Sequence, residues 1–155
     1  MRINNFLLPR VLRPLGFVFF AVSIVLLALK YQFHYKPDFL DLKVFAIYSF
    51  YIEAKTFTMI THQMIEEIAG VLLLLGLFLM AFTMEKNESE QIESLRLKAF
   101  FIAAYLNLCY VLVATLFFFG FGFVGALTLF VAFWLLAYLV TFRYLLYRYK
   151  KEIQP

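Results

Sequence analysis

His34 and His62, together with the nearby carboxylates Asp38, Asp41, Glu66 and Glu67, are the residues whose types suggest metal chemistry. A metal site needs ligands that converge, with a second shell that fixes them. Here two histidines far apart in the chain pair equally well with several carboxylates, so spacing selects no ligand set. Solvated loop residues are the favoured reading, and no metal or cofactor is expected. Neither histidine lies deep in an apolar run, which argues against a transmembrane haem. Glu66 and Glu67 suit the mouth of an ion path, but two carboxylates at a helix start also complement the positive end of its dipole. His62, Glu66 and Glu67 therefore stand as a candidate outer polar cluster. Ser89 and Ser94 have no histidine nearby, and the chain has no phosphate-cradling glycine loop, HExxH or GxSxG. No catalytic residue is expected. Cys109 is the lone cysteine, so an intrachain disulfide and a CxxC redox pair are both excluded.

The elements that must hold these residues are unusually apolar. Of 155 residues 65% are hydrophobic and 15% charged, whereas soluble domains carry about 25% charged residues. Apolar runs cover roughly 15–29, 68–84, 99–119 and 121–142. Each approaches the ~20 residues a helix needs to cross the ~30 Å hydrocarbon core. The first run has no small-x-small cleavage site at its end and leads instead into Lys30, Tyr31 and Gln32, so it is expected to persist as a helix. The expected fold is an all-α integral membrane protein. Four transmembrane helices at about 15–33, 63–84, 88–119 and 123–147 form one bundle and a single domain over 1–155, with an extracytoplasmic segment at 34–62.

No Asp, Glu, His, Lys or Arg occupies the middle of any run. A driven transporter ordinarily places one there, where its cost marks it as functional. Asn107 is the polar group nearest a helix midpoint. Lipid cannot satisfy its amide, so a helix-packing hydrogen bond is expected, with Ser23, Thr115, Thr128 or Tyr138 as partner. The net charge of +4 is a matter of topology rather than nucleic-acid binding. With the N-terminus inside, ten Lys and Arg fall on the cytoplasmic side and four outside, while carboxylates split five and five. Only basic residues set orientation, and the bias puts both termini in the cytoplasm.

Along the chain, residues 1–14 alternate arginines with Phe6, Leu7, Leu8, Val11 and Leu12, as a short amphipathic turn or helix in the headgroup layer would. In 34–62, Lys36-Pro37-Asp38 reads as a turn. The β-branched and aromatic stretches 43–48 and 56–61 favour a β-hairpin turning near Ser49–Glu53. An interfacial helix through Val44, Ile47, Tyr48, Tyr51 and Ile52 is the competing reading. Thr61 is expected to cap the second helix, and Asn87 with Glu90 resembles a capping box for the third. Gly70 and Gly76 could admit a neighbouring backbone. Tyrosines and basic residues at 143–151 suit anchoring on anionic lipid.

The stretches Glu67–Leu77, Ala81–Glu88 and Ile92–Leu97 carry a likeness. A glycine-bearing apolar helix, then EK-x-E, then LRL, resembles a family of small, uncharacterised four-helix inner-membrane proteins of Bacteroidota-type bacteria. The resemblance implies the same four-helix layout, a bacterial inner membrane, and genomic proximity to small helix-turn-helix regulators. It transfers no catalytic residue.

A chemically plain membrane interior with distinctive exposed segments leads to an expectation of function by contact. The chain reads as a non-enzymatic regulatory or accessory membrane protein. Glu88, Glu90, Glu93 and Arg96 form the candidate partner surface at the projecting start of the third helix. The expected partners are the lipid bilayer, a cytoplasmic protein or a second copy, and not nucleic acid. The alternative is a small oligomeric transporter, channel or lipid-handling protein.

Overall fold

The computed structural model describes residues 7–34, 37, 40–50, 54–86 and 88–153. In order these form α1 (Leu12–Phe33), β1 (Asp41–Phe50), β2 (Ala54–Gln63), α2 (Ile65–Phe82), α3 (Glu90–Phe117), α4 (Phe121–Thr128) and α5 (Phe130–Ile153). Four helices, α1, α2, α3 and α5, are long and apolar enough to cross a membrane. Between 11% and 33% of each span is buried within the chain, so most of their side chains keep some exposed surface. Such a surface requires lipid or another protein around it.

The chain divides into two compact units, 1–20 with 74–155 and 21–73. In the first, the core joins Ala81 of α2, Ile92, Ala99 and Ala103 of α3, and Tyr138, Phe142 and Leu146 of α5. The buried residues of α3 are Ile92, Arg96, Ala99, Ala103, Asn107 and Ala114, one stripe at three- and four-residue spacing. Its alanines let helices approach closely. A close approach lies at Gly76. A Cβ there would stand 2.7 Å from the Phe20 nitrogen and 2.9 Å from the Gly16 oxygen. Gly70, the other glycine expected to admit a neighbour, has no atom of another element within 4 Å of such a position among the described residues.

In the second unit, β1 and β2 pair antiparallel with Asp41 opposite Gln63 and Phe50 opposite Ala54. The hairpin reading is thus the one observed; most of its expected turn, 51–53, lies outside the described residues. Here α1 and α2 are joined by the Ser23 hydroxyl, which donates to the Ala69 carbonyl at 2.8 Å.

Several boundaries differ from expectation for local reasons. α1 starts three residues early because Pro14 then falls in the first turn, where its missing N–H costs nothing. Thr61 is not a cap: it lies in β2 opposite Lys43. The strand persists to Gln63, and the Met64 N–H donates to the Leu40 carbonyl at the hairpin's base. α2 ends at Phe82 because the N-terminal segment clips its end. Leu8 N–H donates to Phe82 O at 2.9 Å and Met84 N–H to Leu8 O at 3.0 Å. Asn87 lies outside the described residues; Ser89 caps α3, its Oγ accepting from the Ile92 N–H at 3.4 Å. The expected single fourth helix is two, interrupted at Leu129, where the Thr128 hydroxyl donates back to the Gly125 carbonyl. Gly120 starts α4 at φ +59°, a conformation costly for residues with a Cβ.

Candidate functional site

A dense cluster of charge in the first unit lies where α1 starts, α2 ends and α3 starts, against the middle of α5 at Phe142 and Arg143. Arg96, the seventh residue of α3, is 3% exposed. Its Nε donates to Glu88 Oε1 at 2.9 Å and its Nη2 to Glu88 Oε2 at 3.2 Å. The same guanidinium reaches the carbonyls of Thr83, at 3.0 Å, and Ala81, at 3.3 Å. These carbonyls belong to the last turn of α2 and the residue beyond, where the helix supplies no donors of its own. The Phe142 ring centroid lies 4.4 Å from Arg96 Cζ, a cation–π contact. One side chain thus closes the end of α2 onto α3 and α5.

Glu85 is the second node. Its Oε1 accepts from Arg13 at 3.1 Å and from Arg143 at 2.8 Å, so one carboxylate ties the start of α1 to α5. The Glu85 N–H donates to Glu88 Oε2 at 2.8 Å, linking the nodes. Burial alone would raise the Glu85 carboxyl, but Arg143 and Arg13 outweigh it and hold the group below its usual 4.5. A carboxylate whose folded pKa is depressed contributes stability above its unfolded value, lost as pH falls through the folded one. Thermal stability in detergent should therefore be flat from pH 7 to about 5 and drop below about pH 4. Glu85→Gln should flatten that acid limb, and an unchanged limb in the variant would contradict the assignment.

This placement corrects the expected partner surface. Glu88 and Arg96 turn inward because a buried guanidinium needs a carboxylate and carbonyls at bonding distance. Glu90 is exposed and Glu93 half-buried. Three arginines and two carboxylates of this kind make a clamp.

The polar groups of the second unit are also tied to neighbours. Glu66 Oε1 accepts from Lys30 Nζ at 2.9 Å and from the Tyr31 hydroxyl at 3.0 Å, and His62 Nε2 lies 2.7 Å from Glu67 Oε1. The candidate outer cluster thus pairs His62 with Glu67, while Glu66, held by Lys30 and Tyr31, also lies within electrostatic reach of His62. His34 takes φ +51° just past the end of α1, the left-handed position that terminates helices. Among the described residues, no three His, Cys, Asp or Glu side chains converge as metal ligands would.

Asn107 is 7% exposed, and its Oδ1 has no hydrogen-bond partner among the described residues. The anticipated partners are engaged elsewhere. Ser23 bonds Ala69 O, Thr115 bonds Val111 O and Thr128 bonds Gly125 O, while Tyr138 lies beside Arg96. An unsatisfied buried acceptor costs about 1–3 kcal/mol. Asn107→Leu, of similar volume, is therefore expected to leave the thermal midpoint unchanged or raise it by a few degrees. A fall of several degrees would show that the amide is bonded.

Missing from the sequence reading were Arg13, Glu85 and Arg143 as a group. The available signal was that each lies within two turns of a helix end assigned to the same side of the membrane. No family model, curated protein or solved structure matches this chain.

Proposed function

We propose that the protein is a non-enzymatic, multi-pass subunit of a bacterial inner membrane that works through protein contact. Both termini are cytoplasmic in this reading and the hairpin is extracytoplasmic. Membership of the Bacteroidota-type family belongs to the same proposal. The carrying observation is the surface of the hairpin. Leu42, Phe45, Phe57 and Met59 are 45%, 60%, 72% and 61% exposed, and Phe45 and Phe57 meet with ring centroids 6.3 Å apart. A two-stranded sheet leaves an open edge on each strand, and an isolated hairpin is only marginally stable in water. Exposed aromatic side chains beside unpaired strand edges are what strand-adding partners use. At the cytoplasmic end, Glu90 and Glu93 remain as the accessible part of the surface expected there.

A photoreactive phenylalanine analogue at Phe45 or Met59 tests this reading in membranes of the source cell. Discrete protein adducts should form from the hairpin and not from Val140 on α5. Adducts to lipid alone would overturn it. The alternative, a small oligomeric transporter, channel or lipid-handling protein, draws its support from the unsatisfied Asn107 acceptor. It requires solute or lipid flux into liposomes that Asn107→Leu abolishes.

A further inference from the structure

We propose that the groove between the start of α3 and the end of α5 holds the headgroup of one anionic phospholipid. The groove is open, with a volume of roughly 330 Å³, and is lined by Ser94 and Lys98 of α3 and by Arg148 and Glu152 of α5, together with Leu95 and Leu145. The Tyr149 hydroxyl donates to the Gln91 side-chain oxygen across it, holding the two walls together. Lys98 is exposed and makes no ion pair among the described residues. Arg148 meets Glu152 only at 3.8 Å, with both side chains more than 60% exposed. Two cations with one loosely held carboxylate leave a positive charge facing a space large enough for a phosphate. This charge is separate from the clamp, whose arginines are spent on Glu85, Glu88 and backbone carbonyls.

What selects a lipid rather than a free anion is the surface next to the cations. On α3, Phe101, Ile102 and Tyr105 follow Lys98 at i+3, i+4 and i+7, and are 53%, 41% and 68% exposed. Residues so spaced share one face of a helix. On α5, Tyr144 and Val140 lie one and two turns from Arg148 and are 58% and 57% exposed. Both helices therefore change from basic to apolar along one stripe, as a phosphate ester carrying acyl chains does. Basic pockets between membrane helices recognise anionic headgroups by the same complementarity.

Native mass spectrometry of the full chain in detergent tests the assignment, with phosphatidylglycerol, phosphatidylcholine or inorganic phosphate added. One phosphatidylglycerol should be retained at least fivefold more than phosphatidylcholine. Lys98→Gln combined with Arg148→Gln should remove that preference, with the thermal midpoint kept. Glu152→Gln, which frees Arg148, should strengthen retention at least twofold. Equal retention of the two lipids would overturn the proposal, as would a preference that survives the double variant or weakens in Glu152→Gln. Displacement of the lipid by millimolar inorganic phosphate would overturn the lipid assignment in favour of a free-anion site.

Discussion

Arg96→Met is expected to be the most damaging single change in the chain, costing about 3–5 kcal/mol of stability. The loss comes from what the guanidinium leaves behind. Glu88, with a side chain 9% exposed, would be buried without its cation, and the Thr83 and Ala81 carbonyls would lose their donors. Arg96→Lys should recover little, because an ammonium cannot span both carboxylate oxygens and two carbonyls in one plane. The pair's own net worth is another matter. Moving two charges out of water offsets most of their attraction, so a buried ion pair replaced by apolar residues is often neutral. Arg96→Met combined with Glu88→Leu is therefore expected to restore most of the loss. Denaturant titration in a fixed micelle would measure all three. A double variant no better than Arg96→Met alone would mean that the carbonyl contacts, not the stranded carboxylate, dominate.

The second large effect is expected at Gly76. Its missing side chain is what allows the backbones of α1 and α2 to meet: the atoms a Cβ would strike are Phe20 N, Gly16 O and Phe20 Cα, at 2.7, 2.9 and 3.1 Å. Backbone cannot swing aside as a side chain can, so the helices must separate. Overpacking of this kind costs about 1–3 kcal/mol, and Gly76→Leu should approach or exceed the upper figure. Gly70→Ala provides the control. With open space at that position and alanine's better helix propensity, it should be neutral or gain up to about 1 kcal/mol. The thermal midpoint in detergent reads both, and Gly76→Ala matching Gly70→Ala would contradict the close crossing.

The difference between these glycines shows what a sequence can and cannot convey here. The apolar runs were legible because lipid demands long uninterrupted helices, and the hairpin was legible from alternating Thr, Phe and Met in 56–61. The alanine stripe of α3 could be read as a face, since its members recur at helical spacing. What covers that face could not. Gly70 and Gly76 both sit on α2, and only the position of α1 separates them. Arg96 read as a surface residue because arginine rarely lies buried. Its burial depends on Glu88 and two carbonyls supplied by another turn of chain, contacts that no periodicity encodes. The break at Leu129 is similarly hidden, since Thr128 competes for a carbonyl with its side chain and leaves the hydropathy of 121–142 unchanged.

In the reading proposed above, α1, α2, α3 and α5 each cross the bilayer. Three crossings would then separate the hairpin from the end of α5, putting them on opposite faces of the membrane. Single cysteines at Thr61 in β2 and Lys151 near the end of α5, in a chain with Cys109 replaced by alanine, can be probed with a membrane-impermeant maleimide in right-side-out vesicles. The predicted result is labelling at position 61 and none at 151 until the membrane is permeabilised. Labelling of both positions, or of 151 alone, in sealed vesicles would contradict it.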